Sequence, residues 1–204
     1  ENPKISVPGA YRSVCIEFEL HGLAVNTVLV SAELQDLEGV EDGASLDVVM
    51  GGAQSELGGQ GGNGVGENQN AAIDDAAACV GSFRLLKTLV TNWFRDVSAT
   101  ANPYADALLI HFYRWLCAPS SLLHEPALHR LVHRLMKKLF LQLMAEFRAL
   151  GADVVYADFN RIIIATNKQD RVSAAEYYQY IIDTICARDI FTCLQFEAKQ
   201  YWET

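Results

Sequence analysis

The chain has 204 residues, half of them hydrophobic and a fifth charged, which is a globular balance with length enough for one large domain or a domain with an appendage. No apolar run approaches the ~20 residues a membrane helix needs, so no helix is expected to span a bilayer, and no membrane is expected among the partners. The net charge of −9 conceals a division: residues 1–78 hold 13 acids and 2 bases, residues 79–204 hold 12 acids and 14 bases, so overall acidity does not exclude nucleic-acid contact by the second part.

The start, Glu1-Asn2-Pro3, has no Met and no apolar signal core, and reads as a piece of a longer protein or a processed chain. The five cysteines, Cys15, Cys79, Cys117, Cys186 and Cys193, are odd in number and show no C-x-x-C pair. That usage points to a reducing compartment, cytosol or nucleus, rather than a disulfide framework.

Residues 11–20 alternate apolar and polar, with Val14, Ile16, Phe18 and Leu20 on one face, which predicts a half-buried strand. Val25 to Leu34 reads as a second strand or a short helix, and Leu46 to Met50 as a third strand. Residues 51–70 then carry eight of the fourteen glycines and little that is apolar. Such a stretch cannot offset its ordering entropy by burial, so a flexible loop is expected from Gly51 to Ala78. Three segments result: a β-rich 1–50, a disordered Gly-rich insertion at 51–78, and a helical 79–204. The letters Gly59-x-Gly61-x-x-Gly64 match a dinucleotide fingerprint, but no strand precedes them and no apolar-periodic helix follows.

Helical periodicity begins at Ser82, with Phe83, Leu86, Leu89, Val90 and Trp93 in one stripe. Asn102-Pro103 interrupts it, and Leu108 to Leu116 resumes it. A long helix is expected from Pro126 to Leu150, stopped by Gly151, with Leu128, Leu131, Val132, Leu135, Leu139, Leu143 and Phe147 inward. Two β-branched runs, at 154–156 and 162–164, flank a tight turn at Ala157 to Arg161 and predict a hairpin. Ser173 is placed to cap a following helix with Glu176 in a capping box, and Cys193 to Trp202 reads as a last strand.

Few residues stand in patterns that carry chemistry. His129 and His133 are four apart, as zinc-binding pairs are, with His124 nearby. There is no H-E-x-x-H glutamate, and Arg130, Arg134, Lys137 and Lys138 would repel a cation, so no metal is expected there. Those four bases form a candidate surface for a protein partner or a DNA backbone. No nucleophile motif such as G-x-S-x-G is present. The hairpin is the sharpest feature. Two acids two residues apart on such a turn hold a pair of magnesium ions for phosphoryl transfer. Here Asp158 stands alone, Asn160 takes the second position, and Arg161 adds a positive charge.

Residues 151–164 resemble the metal-binding hairpin of the B-family DNA polymerases, whose pattern is Tyr-Gly-Asp-Thr-Asp-Ser. Tyr156 and Asp158 match it; Ala157, Phe159, Asn160 and Arg161 depart from it. The runs FYRWLCAPSSLLHEPALHRLVHRLMKKLFLQLMAEF (112–147), VPGAYRSVCIEFEL (7–20) and LAVNTVL (23–29) are similar to the C-terminal half of B-family catalytic subunits of the DNA polymerase epsilon type. The resemblance implies an α+β fold: a partial palm-like module whose small antiparallel sheet packs on long helices, with the Gly-rich insertion disordered. It implies a non-catalytic scaffold segment, with Asp158, Asn160 and Arg161 as degenerate metal-hairpin positions and no catalytic residue. The setting it implies is leading-strand chromosomal replication in the nucleus. Accessory subunits of the holoenzyme and the replicative helicase would be the partners, with DNA in the context of the parent. No cofactor is implied for this segment; Mg²⁺ belongs to the active half, and zinc and iron–sulfur modules lie outside the chain. Two other readings stay open: a nucleotidyltransferase palm that keeps Asp158 as a metal ligand, and a non-catalytic DNA-backbone binding module.

Overall fold

The alternation at residues 11–20 becomes strand β2 (Cys15–His21), in which Ile16, Phe18 and Leu20 are buried while Glu17, Glu19 and His21 turn to the other face. The structure, a computed structural model, describes residues 2–32 and 67–203. It divides into two compact units, Glu1–Thr27 with Arg134–Thr204, and Val28–His133. The architecture is α+β, and the first unit holds an antiparallel sheet of five strands among the described residues.

The remaining strands are β1 (Ile5–Ser6), β3 (Asp153–Ala157), β4 (Arg161–Ala165) and β5 (Gln195–Trp202), and the order across the sheet is β1-β3-β4-β2-β5. Pairing sets Ile16 opposite Ile164 and Phe18 opposite Ile162, so four buried side chains meet on one face. On the other flank of β2 the register against β5 steps between Glu17 and Phe18, leaving Lys199 as the extra residue. β1 was not foreseen; two residues offer no periodicity to read.

Helices α4 (Pro126–Ala149) and α5 (Arg171–Cys186) supply the apolar cover of this sheet. The Phe18 ring lies 5.7 Å from Phe147 of α4, 5.3 Å from Tyr178 of α5 and 5.9 Å from Phe196 of β5. Leu135, Leu139, Phe140, Leu143, Met144 and Phe147 of α4 are all buried, the wide face its periodicity predicts. Gly151 ends the helix at φ +83, with its N–H bonded to Arg148 O and that of Ala152 to Phe147 O, the bond pair of a Schellman motif. The α5 cap differs from expectation. Asp170, not Ser173, precedes the helix, and its carboxylate accepts from the Ser173 N–H. The helix takes in Arg171 and Val172 because Asp170 is the stronger acceptor for an end that carries positive dipole.

In the first unit, helix α1 (Leu23–Leu29) follows β2 and settles the ambiguity over residues 25–34 as helix for the part described. It continues into the second unit, which contains α2 (Glu67–Thr100) and α3 (Pro103–Cys117). Helix α2 begins inside the stretch expected to be loop. The glycine-rich run ends at Gly66, and the alanines at 71, 72 and 76–78 that follow have the highest helix propensity, so helix prevails from Glu67. The strand expected at Leu46 to Met50, and residues 51–66 of the expected loop, lie outside the described residues. Asn102 caps α3 by accepting from the Tyr104 N–H, with Pro103 in the first turn, so the break read at this dipeptide is a helix start. Phe83, Leu86 and Val90 of α2 and Ala105, Leu109, Phe112 and Leu116 of α3 are buried at helical spacing.

Candidate functional site

The turn between β3 and β4 is built around one carboxylate. The Asp158 N–H bonds to Arg161 O at 2.8 Å and closes the hairpin. Asp158 Oδ1 accepts from the N–H groups of Asn160 and Arg161, each at 2.8 Å, and Oδ2 accepts from the Tyr156 hydroxyl at 2.7 Å. Phe159, at the tip, turns inward and stacks edge-on against Phe140 of α4, 5.5 Å between ring centres. Burial by itself raises the Asp158 carboxyl. The Asn160 N–H, the Tyr156 hydroxyl, the Arg161 N–H and the Arg161 charge together outweigh it and hold the group below the usual aspartate value.

Arg161 occupies the space beside that carboxylate. Its guanidinium carbon lies 4.8 Å from the centre of the Tyr156 ring, over which Lys4 Nζ also sits at 5.5 Å. Strand pairing sets Glu19 opposite Arg161, and the diagonal acid, Glu17, is taken up by the guanidinium, with its Oε1 3.4 Å from Arg161 Nη1. The turn therefore has one carboxylate with both oxygens engaged, a neutral Asn160, and a guanidinium where a second divalent ion would need negative charge. This donor set does not fit a two-magnesium site. Among the described residues, one group of ligating side chains gathers within reach of a common point: Glu19, His21 and Glu197. Lys199 serves that group, 3.3 Å from Glu19 and 2.8 Å from Glu197, as an exposed ion network.

The loss of Asp158 is testable through pH. A carboxyl held below its unfolded value contributes stability that is present above about pH 4 and is lost as pH falls through the folded value. Asp158→Ala is expected to cost about 1–2 kcal/mol at pH 7 and progressively less below pH 4. Urea unfolding at pH 7, 4 and 3 checks this; a cost that does not vary with pH would mean the turn needs the side chain but not its charge.

The basic residues of α4 fall on more than one side. Arg130, Arg134 and Lys137 are exposed, whereas Lys138 is half-buried. Their exposed line continues through Leu141, Ala145 and Arg148 at intervals of three and four. Arg148 was missed because charge density, not helical phase, guided the sequence reading; the phase was legible. The histidines are not on this line. In the second unit the Tyr113 hydroxyl of α3 lies 3.0 Å from His133 Nδ1 and 3.4 Å from His129 Nε2, and His124 Nδ1 lies 3.1 Å from Leu116 O. Burial first, then the charges of His133, His124 and Arg130, hold the His129 imidazole below its ordinary value, so it favours the neutral form. The three histidines thus join α3 to the start of α4 rather than form a solvated basic face.

No disulfide joins the five cysteines. With this geometry in place, the whole chain, residues 1–204, matches a protein family described as a domain of unknown function, DUF1744. The chain belongs to that family. This DUF1744 chain is 38% identical to a DNA polymerase epsilon catalytic subunit of Arabidopsis thaliana, a match covering 97% of the chain and 9% of the relative. It is 32% identical to the corresponding catalytic subunit of Dictyostelium discoideum, over 98% of the chain and 10% of the relative. With that of Saccharomyces cerevisiae it shares 32% identity over 100% of the chain and 9% of the relative. The DUF1744 chain therefore spans about a tenth of the length of these relatives. The resemblance to DNA polymerase epsilon catalytic subunits thus extends along nearly its whole length.

Proposed function

We propose that this chain is a non-catalytic scaffold segment within a catalytic subunit of replicative DNA polymerase epsilon, folded as a partial palm-like module. In this reading it supports assembly of the holoenzyme with its accessory subunits and with the replicative helicase during leading-strand synthesis in the nucleus. Catalytic Mg²⁺ serves the active half of the parent, and zinc and iron–sulfur modules lie elsewhere in it. The observation that carries the reading is the guanidinium of Arg161, held between the Tyr156 ring and Glu17, next to Asn160 at the position where a polymerase hairpin needs its second acid. The similarity to DNA polymerase epsilon catalytic subunits supplies the replicative context.

Asp158→Ala in the whole polymerase is expected to leave nucleotide incorporation within about twofold of the parent, because a group with no metal to hold adds nothing to the transition state. Charge reversal on α4 should instead reduce co-purification of accessory subunits or helicase. Mn²⁺ titration of the chain should give no localised paramagnetic broadening of amides from Val155 to Ile162. Saturable broadening centred on Asp158 and lost in Asp158→Ala, together with lost incorporation, would favour the nucleotidyltransferase reading. A second reading, a DNA-backbone module, draws on the exposed bases Arg130, Arg134 and Lys137, with Lys138 half-buried beside them. It requires duplex affinity that falls steeply with salt.

A further inference from the structure

The part of α4 that lies in the sheet unit presents one solvent stripe: Arg134, Lys137, Leu141, Ala145 and Arg148. The spacing of three, four, four and three keeps them in line over ~21 Å at ~1.5 Å per residue. Three of the five are bases, and none has a carboxylate within ion-pair distance among the described residues. The one acid of the helix, Glu146, is turned inward and bonded to Arg188 Nη1 at 2.6 Å, so nothing on the stripe offsets its charge. At its centre Leu141 is 50% exposed.

We infer that this stripe docks an acidic amphipathic helix of a partner protein. The inference rests on the scaffold reading for the expectation that a partner exists; the geometry of the stripe is independent of it. A lone exposed leucine needs no explanation, and a lone basic stripe fits phosphates as well as carboxylates. Together they choose. A phosphodiester backbone satisfies Arg134, Lys137 and Arg148 but offers no apolar surface to Leu141 and Ala145. A helix with apolar side chains at i, i+4 and i+7 covers those two, and acids flanking its seam reach the bases at either end. Unpaired bases at the ends and an apolar middle are the arrangement in which charge sets orientation and approach rate while the centre excludes water.

The test uses the full chain and a fluorescein-labelled 21-residue helical peptide with leucines at i, i+4 and i+7 and flanking glutamates. Its controls are the same peptide with leucines changed to serine, the same peptide with lysine for glutamate, and a labelled DNA duplex of arbitrary sequence. By anisotropy, the acidic peptide should bind at least about tenfold more tightly than the serine and lysine peptides. Leu141→Ser should weaken it about tenfold without changing the far-ultraviolet dichroism, since the position is exposed. The triple variant Arg134→Glu, Lys137→Glu, Arg148→Glu should switch preference to the lysine peptide, a reversal that a loss of folding would not produce. Duplex binding that exceeds peptide binding and ignores Leu141→Ser would overturn the inference in favour of a phosphate surface. Equal, weak binding of all probes would overturn it in favour of a solvated face. Either result leaves the scaffold reading standing as long as Asp158→Ala spares incorporation. Lost incorporation with peptide preference intact would sink the scaffold reading alone.

Discussion

Asn26→Ala is expected to destabilise the sheet unit by about 1–3 kcal/mol, the cost of leaving two half-buried backbone groups without protein partners, at the lower end of about 1–3 kcal/mol each. Asn26 is completely buried on α1. Its Nδ2 donates to Ile190 O at 2.7 Å, and its Oδ1 accepts from the Cys193 N–H at 2.9 Å. One side chain thus satisfies a carbonyl and an amide in the 3₁₀ turn (Asp189–Phe191) and the residues that lead into β5. Gly22, at the start of α1, makes the close approach feasible. It holds φ +76, and a Cβ there would lie 2.7 Å from Cys193 O. Asn26→Asp should not rescue the loss. The carboxylate keeps the acceptor for Cys193 but removes the donor for Ile190 and buries a charge. Urea denaturation checks both variants, with an unchanged slope showing that the same surface unfolds. A loss below about 1 kcal/mol for Asn26→Ala would mean that water or a local shift replaces the clip.

This clip also marks the limit of what the sequence discloses. Its partners are 164 and 167 residues away, and no local pattern points from one to the other. Where the decisive interactions are periodic and local, the sequence was sufficient. Strand β2 follows from side chains at every second position, and α4 from a stripe that recurs every three or four, because one buried face suffices to select each conformation. The hairpin was legible for the same reason. The state of its carboxylate was only half so: Asp158 as a turn residue follows from Asp chemistry, but the Tyr156 hydroxyl on Oδ2 depends on how the strand aims a side chain. Competition between weak local signals explains the errors at element ends. Asp170 and Ser173 are both acceptable caps, and three residues separate the two choices. In the same way the alanines after Glu67 compete with an adjacent glycine-rich composition, and the reading gave the whole stretch to the latter. Composition marks the four bases, whereas helical phase puts Arg148 on the same exposed line as Arg134 and Lys137 and leaves Lys138 half-buried beside it.

The core beneath that surface sets the largest expected effect. Phe18→Ala should cost about 3–5 kcal/mol, the range for truncating a fully buried aromatic whose surroundings cannot collapse onto the space left. Phe18 is completely buried, and its ring meets Phe147, Tyr178 and Phe196, which come from three different elements. No single one of them can move into the gap without leaving its own strand or helix. Phe18→Leu, which keeps most of the volume, should cost less than half as much. Tyr178 separates packing from polarity at the same place. Its hydroxyl is buried with no hydrogen-bond partner among the described residues, so Tyr178→Phe should be neutral or stabilising by up to about 1 kcal/mol, because it removes an unsatisfied group and keeps the ring. Tyr178→Ala should approach the loss seen for Phe18→Ala. Thermal and urea unfolding of the four variants would settle the order. If Phe18→Ala costs under about 2 kcal/mol, α4 and α5 are free to close on the sheet, and α4 is then too loosely seated for its outward stripe to hold fixed spacing against a partner. If the full loss appears and Phe18→Leu also weakens peptide affinity while the chain stays folded, the rigidity of that stripe comes from the cluster of rings on its far side.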